Sequence, residues 1–266
     1  MYSAKKTQSK RRLIIAHRGA SGEAPENTIS AFDLAFEQGA DGIELDVRLS
    51  RDRIPVVIHD ANLTRTASID APVSALSWEE IRAIRLLNRF DSRHDHQSPP
   101  ALRDVLEKYG GCGEIHIELK CGAIRDAAEL GGAVSRLLRR VVRERRIDPS
   151  SIWIISFFHA ALVMMRVLAG AFPRALIVTN RATNPFFRVP RFEGLIRPAG
   201  IDAAWEAIML PGAERWIGRR RQLAAWPMDD PDVMNHPRFE WVDRIITNHP
   251  RLWIERKKEF AFDGSI

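Results

Sequence analysis

The chain has 266 residues, 45% of them hydrophobic and 28% charged, with 16 Gly, 15 Pro and only 2 Cys. This composition excludes a disordered, collagen-like or disulfide-stapled chain, and no apolar run approaches the roughly 18 residues that a membrane helix needs. Lys plus Arg number 40 against 34 Asp plus Glu, a net charge of +6, which favours anionic ligands without choosing among phosphates, nucleic acids and acidic lipid surfaces.

Residues 1–12 read as a basic tail carrying Lys5, Lys6, Lys10, Arg11 and Arg12. The apolar stretch behind them, Leu13 to Ala16, is shorter than the roughly 7–15 residues of a secretory core. The expectation is a cytoplasmic protein with Cys112 and Cys121 as thiols. Residues 13–266 contain no internal repeat or low-complexity linker and read as one domain.

Short apolar runs follow in order at 13–16 (LIIA), 42–45 (GIEL), 55–58 (PVVI), 115–119 (IHIEL), 151–156 (SIWIIS), 174–179 (RALIVT), 203–210 (AAWEAIML), 222–226 (QLAAW) and 244–247 (RIIT). Several are rich in Ile and Val without alternating polar residues, as in strands buried on both faces of a parallel sheet. Helical patterns lie between them. Glu26 to Gln38 closes on Gly39, and Ser77-Trp78-Glu79-Glu80 is a capping box opening a short helix through Leu87. Further helices are expected over residues 100–109, 124–146 and from about 250 to 260. Strand–helix alternation with nine candidate strands predicts a (β/α)₈ barrel with one strand supernumerary, a doubly wound open sheet being the structural alternative. The stretches 89–99 and 180–200 read as polar or proline-broken insertions.

The polar residues that matter end the apolar runs. The first run delivers His17 and Arg18, the second Glu44 and Asp46, the third His59 and Asp60, and the fourth Glu118 and Lys120. In a parallel barrel the C-terminal strand ends meet at one face, so these residues can share a pocket. Glu44 and Asp46 are two apart on a strand and point to one side, as do Glu118 and Lys120. Three converging carboxylates without thiolates favour a hard cation, Mg²⁺ or Ca²⁺, over structural zinc. His17 and His59 form a natural proton-transfer pair for a phosphodiester, with Arg18 and Lys120 supplying cations for its phosphoryl group.

The segment His17-Arg18-Gly19-Ala20 followed by Pro25-Glu26-Asn27-Thr28 resembles the opening of the glycerophosphodiester phosphodiesterases. So do Glu44-Leu45-Asp46, His59-Asp60 with Leu63, Arg65 and Thr66 behind it, and Glu118-Leu119-Lys120. Ser156-Phe157, Trp226 and Ile246-Thr247-Asn248-His249-Pro250 resemble the later strand ends of that family. The resemblance implies a (β/α)₈ TIM barrel with a small insertion after the third strand, here about 61–99. It also implies a divalent cation (Mg²⁺ or Ca²⁺, with Mn²⁺ an alternative) held by Glu44, Asp46 and Glu118. His17 and His59 would be the acid/base pair, Arg18 and Lys120 the phosphate contacts, and hydrolysis to an alcohol and sn-glycerol 3-phosphate the reaction. The sequence departs from the family pattern where Pro227-Met228-Asp229 follows Trp226, where Thr-Asn-His-Pro replaces the commoner Thr-Asp-x-Pro, and in the stretch 180–200.

Other features have plainer readings. Arg136, Arg139, Arg140, Arg143, Arg145 and Arg146 share a helix with Leu137, Leu138, Val141 and Val142, which suits a solvated outer face of the barrel. Arg215 with Arg219, Arg220 and Arg221 is read the same way. His116 is expected as a hydrogen-bonded residue deeper in the barrel, and Cys121 is expected to face away from the site. His94 and His96 fit either a metal or a solvated loop, and Trp226 either a wall for glycerol or a core position. No Gly-x-Ser-x-Gly, His-Glu-x-x-His or Pro-Cys-x-x-Cys occurs, so serine-hydrolase, zincin and zinc-deaminase readings lose their support.

Three functions are thereby in play. The first is a phosphodiesterase acting on small glycerophosphodiesters, with no nucleic-acid partner. The second is a lysophospholipase D at a membrane surface, with weak peripheral contact to anionic lipid, motivated by Phe186, Phe187 and Phe192 among Arg181, Arg188 and Arg191. The third, a non-catalytic phosphate-ligand or lipid-binding barrel, predicts loss of a metal or proton-transfer residue, and the whole set is present.

Overall fold

The computed structural model describes residues 11–180, 193–217 and 221–262. Nine strands are present: β1 (Leu13–His17), β2 (Gly42–Leu49), β3 (Pro55–Val57), β4 (Glu114–Leu119), β5 (Ile152–Ser156), β6 (Arg174–Val178), β7 (Gly200–Ala204), β8 (Gln222–Trp226) and β9 (Arg244–Thr247). Eight of them are parallel, in the order β1-β9-β8-β7-β6-β5-β4-β2, and pairing of β1 with β2 closes the cylinder. The expected (β/α)₈ TIM barrel is therefore formed. The supernumerary strand is β3, which pairs antiparallel with β2 through Val47–Val57 and Leu49–Pro55. Residues 61–99 follow it, so within the cylinder they lie between the second and third parallel strands.

Helices fill the connections: α1 (Ile29–Glu37), α2 (Thr64–Ala67), α3 (Trp78–Arg82), α4 (Leu102–Tyr109), α5 (Ile124–Arg145), α6 (His159–Leu168), α7 (Glu193–Ile196), α8 (Trp205–Ile208), α9 (Glu214–Ile217) and α10 (Pro250–Phe262). Local chemistry sets several of their ends. The Thr28 hydroxyl accepts from Ala31 N and caps α1. Ser77 and Glu80 form the expected reciprocal box at α3, which ends at Arg82 rather than at Leu87. One reading of the run 203–210 is overturned: the strand occupies Gly200–Ala204, and Trp205–Ile208 is helix. An apolar run fits either structure, and the polar Asp202 hid the true strand by interrupting its apolar pattern.

Alternation along the strands separates two cores. Outward residues such as Ile43, Leu45, Ile115 and Ile117 are wholly buried beneath the helices with Phe32, Leu106 and Leu138. Each such side chain contributes about 1.5–3 kcal/mol of burial. Inward residues of β2 and β4 are Glu44, Asp46, Glu114, His116 and Glu118, all but Glu114 buried. The outer core thus supplies the stability that lets the barrel interior carry charge.

Candidate active site

β1 ends at His17, and the chain then turns sharply with Arg18 at φ 59° and Gly19 at φ 82°. A Cβ on Gly19 would lie 2.6 Å from the Ala31 backbone, so this turn requires glycine. The left-handed Arg18 is a strained conformation of a kind that gathers at functional sites. Its backbone N donates to Glu44 Oε2 at 3.1 Å, its Nε lies 3.0 Å from Asp46 Oδ2, and its guanidinium reaches Glu26 at 3.0 Å.

Glu44, Asp46 and Glu118 bring one carboxylate oxygen each to within 4.8 Å of one another, and all three residues are buried. Lys120 Nζ bridges two of them, at 2.7 Å from Glu118 and 3.0 Å from Asp46. Asn27 fixes the orientation of Asp46 by donating to Oδ2 at 2.9 Å. Burial opposes the ionised form of all three, yet Lys120 and Arg18 keep Asp46 well below the usual carboxylate range. Burial and the neighbouring Asp46 and Glu118 drive Glu44 well above it, and burial lifts Glu118 to about 7 against the pull of Lys120. Three carboxylates face two directly paired cations, and the residual charge must be met by a proton or by another cation. An all-oxygen donor set of this kind suits Mg²⁺, Ca²⁺ or Mn²⁺.

The two imidazoles arrive by different routes. His17 ends a parallel strand, as expected. His59 follows antiparallel β3 and so does not end a barrel strand, which corrects the sequence reading. β2 runs past the barrel mouth, reverses, and β3 returns toward it, with Ile58 N donating to Asp46 O at 2.9 Å. His59 Nδ1 donates to Asp60 Oδ1 at 2.6 Å. Asp60 accepts from Arg65 Nε at 2.6 Å, and Arg65 also grips Glu26 at 2.6 and 2.8 Å. A continuous charged chain therefore joins His59 through Asp60, Arg65 and Glu26 to Arg18. Burial lowers both imidazoles, His17 to about 4 with Arg18 adding to the effect. Both shifts favour the neutral ring, the state in which one nitrogen is free to take a proton.

These groups open onto a cavity of about 160 Å³. One wall is His17, Arg18, Glu44, His59, Glu118 and Lys120; the other is mainly apolar, with Ile155, Phe157, Ile177, Trp226, Pro227 and Ile246, and includes Asp202. Six of the seven expected site residues line this pocket, and the seventh, Asp46, is wholly buried behind it against Lys120 and Arg18. Trp226 is partly buried at the edge of the cavity. It is tied down by Nε1 donating to Asp202 O at 3.1 Å and by edge contact with Phe157 at 5.6 Å.

The remaining candidates lie elsewhere. His116 is fully buried beneath the pocket, with Nε2 at 3.0 Å from Glu114 and its ring stacked on Trp153. His94 is buried against Ser30 Oγ at 2.5 Å while His96 is exposed, so they do not form a metal pair. The Cys121 thiol contacts Leu119 O and is pushed up to about 11 by burial. The six α5 arginines are all exposed over buried Leu138 and Val141. Arg221 pairs with Glu193 at 2.7 Å, and Arg219 and Arg220 lie outside the described residues. Sequence reasoning quoted Glu26, Asn27, Asp60 and Arg65 as motif but gave them no task. It gave none to Asp229 or Asn248 either, where the pattern's departures near Trp226 and Thr247 were the available signal.

The profile of the glycerophosphoryl diester phosphodiesterase family matches residues 17–252. A glycerophosphodiester phosphodiesterase of Caldanaerobacter subterraneus subsp. tengcongensis is 31% identical over 244 residues, covering 91% of this chain and 96% of that one. Among solved structures, a glycerophosphodiester phosphodiesterase from Agrobacterium tumefaciens superposes with a TM-score of 0.73 at 29% identity, over 92% of this chain and 100% of that one. A phosphodiesterase from Oleispira antarctica, solved with the product sn-glycerol-3-phosphate, shares the fold with a TM-score of 0.77 at 24% identity, over 93% and 96% of the two chains.

Proposed function

The chain belongs to the glycerophosphoryl diester phosphodiesterase family and is a phosphoric diester hydrolase, and from that premise we propose that it cleaves small glycerophosphodiesters to an alcohol and sn-glycerol 3-phosphate with the help of a divalent cation. The observation that carries this reading is the meeting of three carboxylates, two imidazoles and two cationic side chains at one barrel mouth.

Glu44, Asp46 and Glu118 would hold the cation, Mg²⁺ or Ca²⁺ with Mn²⁺ an alternative. When bound, it would offset negative charge on the phosphoryl group and on the attacking oxygen. Arg18 and Lys120 line the cavity beside Glu44 and Glu118, where they bind and orient the phosphoryl oxygens. His17 and His59 transfer the protons, one activating the nucleophile and the other protonating the leaving alkoxide. Each has Nδ1 committed to an acceptor, Asn248 or Asp60, so Nε2 is the nitrogen available to substrate. The apolar wall of Phe157, Ile177 and Trp226 excludes water and receives the uncharged part of the substrate.

The test is release of sn-glycerol 3-phosphate from glycerophosphocholine and glycerophosphoethanolamine, before and after chelation and after return of Mg²⁺, Mn²⁺ or Ca²⁺. Turnover that survives chelation undiminished removes the metal from the reading. His17→Ala and His59→Ala should each lower kcat by roughly 10²-fold or more, and unchanged rates in both reject the proton-transfer roles. The lysophospholipase D alternative rests on residues 181–192, which lie outside the described residues. No helix among the described residues is long and apolar enough to cross a membrane. Failure to co-sediment with acidic vesicles removes that alternative.

A further inference from the structure

His17 is held on its far side by a neutral amide backed by a carboxylate. Its Nδ1 lies 2.7 Å from Asn248 Oδ1. The amide of Asn248 has two ends, and only one orientation satisfies its neighbours. Asn248 Nδ2 lies 2.6 Å from Asp229 Oδ2, which accepts and has no proton to give when ionised. The amide nitrogen must therefore face Asp229, which turns Oδ1 toward His17. Because Oδ1 only accepts, the proton on the imidazole must sit on Nδ1. The lone pair of the neutral ring then stands on Nε2, the nitrogen 3.8 Å from Glu44 Oε2 on the cavity side.

The carboxylate is itself fixed on two further sides. Asp229 Oδ1 accepts from Asn248 N at 2.8 Å and from Thr247 Oγ1 at 3.0 Å. Ser21 Oγ lies 2.8 Å from Asn248 Oδ1 and 2.7 Å from His17 O, bracing the amide from the β1 side. Asp229 follows β8 and Asn248 follows β9, so the arrangement spans two adjacent strand ends and is specified by Met228-Asp229 and Thr247-Asn248 together.

We propose that Asp229 and Asn248 are positioning residues for the hydrolytic reaction, Asp229 acting through the Asn248 amide to set the tautomer and orientation of His17. This deepens the proposed function and rests on His17 transferring a proton. Neither residue lines the cavity, so their loss should lower kcat while leaving KM nearly unchanged.

The test is an exchange of the two side chains. Asp229→Asn alone leaves two amides that can each rotate, so Asn248 is free to present Nδ2 to His17 and force the opposite tautomer. A loss of kcat of about 10²-fold is expected. Asn248→Asp alone sets two carboxylates face to face and should cost about tenfold or more in kcat. The double variant Asp229→Asn/Asn248→Asp restores every donor and acceptor. Asn at 229 accepts from Thr247 Oγ1 and from the backbone N of 248 while donating to the new carboxylate, which accepts from His17. It should return kcat to within about threefold of the parent, since the same number of hydrogen bonds is made.

A folded double variant no more active than the worse single variant overturns the proposal. So does Asp229→Asn at parental kcat when His17→Ala is inactive. His17→Ala at parental kcat instead refutes the underlying reading of His17, which keeps the two failures distinct. Histidine ¹⁵N chemical shifts supply a measurement independent of turnover. The parent should show His17 protonated on Nδ1 and Asp229→Asn should shift it toward Nε2, whereas Nε2–H in the parent overturns the proposal.

Discussion

Two charged clusters share the interior of this barrel, and they are built to opposite ends. The lower one joins Glu114, His116, Asp202 and Arg244. Arg244 grips Glu114 through two bonds of 2.6 Å, His116 bonds Glu114 at 3.0 Å and sits 3.7 Å from Asp202, and Arg244 lies 4.5 Å above the Trp153 ring. Two acids meet an arginine and an imidazole whose charged form is favoured despite burial, because Asp202 and Glu114 flank it. The lower cluster sets one acid against each basic group. The upper one sets three buried carboxylates against two, Arg18 and Lys120. The lesson is that burial and charge alone do not mark a site. An uncompensated excess of one sign beside a cavity does, because it favours an oppositely charged ligand.

The largest expected effect separates activity from stability in the upper cluster. Asp46→Asn or Glu118→Gln should lower kcat by about 10³-fold, as loss of several kcal/mol of charge stabilisation implies. Glu44→Gln should do the same while leaving Tm unchanged or raised, because it relieves like-charge repulsion and keeps an acceptor for Arg18 N. A Glu44→Gln protein that melts well below the parent would erase the contrast between the clusters.

The lower cluster should answer in the other currency. Removing the Glu114 carboxylate leaves Arg244 buried and half-paired, so Glu114→Ala should destabilise by about 3–5 kcal/mol. The folded fraction should keep parental kcat, as denaturant titration beside single-concentration assays will report. Glu114 also predicts a pH dependence. Burial would raise its carboxyl, but Arg244 and His116 hold it down to about 2. A depressed carboxylate stabilises above its unfolded pKa, and that contribution disappears as pH falls from about 5 toward 2. The loss should be up to about 3 kcal/mol. Glu114→Gln should flatten the unfolding free energy across that window, and an unaltered profile contradicts the pairing.

The mildest test concerns the rim. Arg65 joins Asp60 to Glu26, and hence His59 to Arg18, from the half-exposed start of the insertion. Arg65→Ala should lower kcat by about tenfold, and Arg65→Lys should recover only part of that because an ammonium cannot span both carboxylates as a planar fork does. Full activity in Arg65→Ala would confine the upper cluster's support to the barrel itself.

Much of this was legible in one dimension. Ile- and Val-rich runs with little alternation reported strands covered on both faces, and the two-residue spacing of Glu44 with Asp46 and of Glu118 with Lys120 placed each pair on one side. The box at Ser77 and the long α5 followed from side chains acting within a few residues of themselves. Where a run's chemistry was ambiguous the reading failed, as at 203–210, where alanine and leucine suit either structure and the buried Asp202 looked like a break. α6, almost wholly apolar, gave no periodic signal of its own and went unread.

The chain alone therefore determined most of its strands, its barrel and the polar residues that end the first, second and fourth runs, because periodicity and strand-end position are local properties repeated around a closed sheet. Tertiary structure alone decided that β3 runs backward to deliver His59, that Arg65 binds acids 5 and 39 residues away, and that Asp229 meets Asn248 behind His17. Those partnerships depend on which loop ends the closed cylinder sets side by side, a distance in space that no spacing along the sequence encodes.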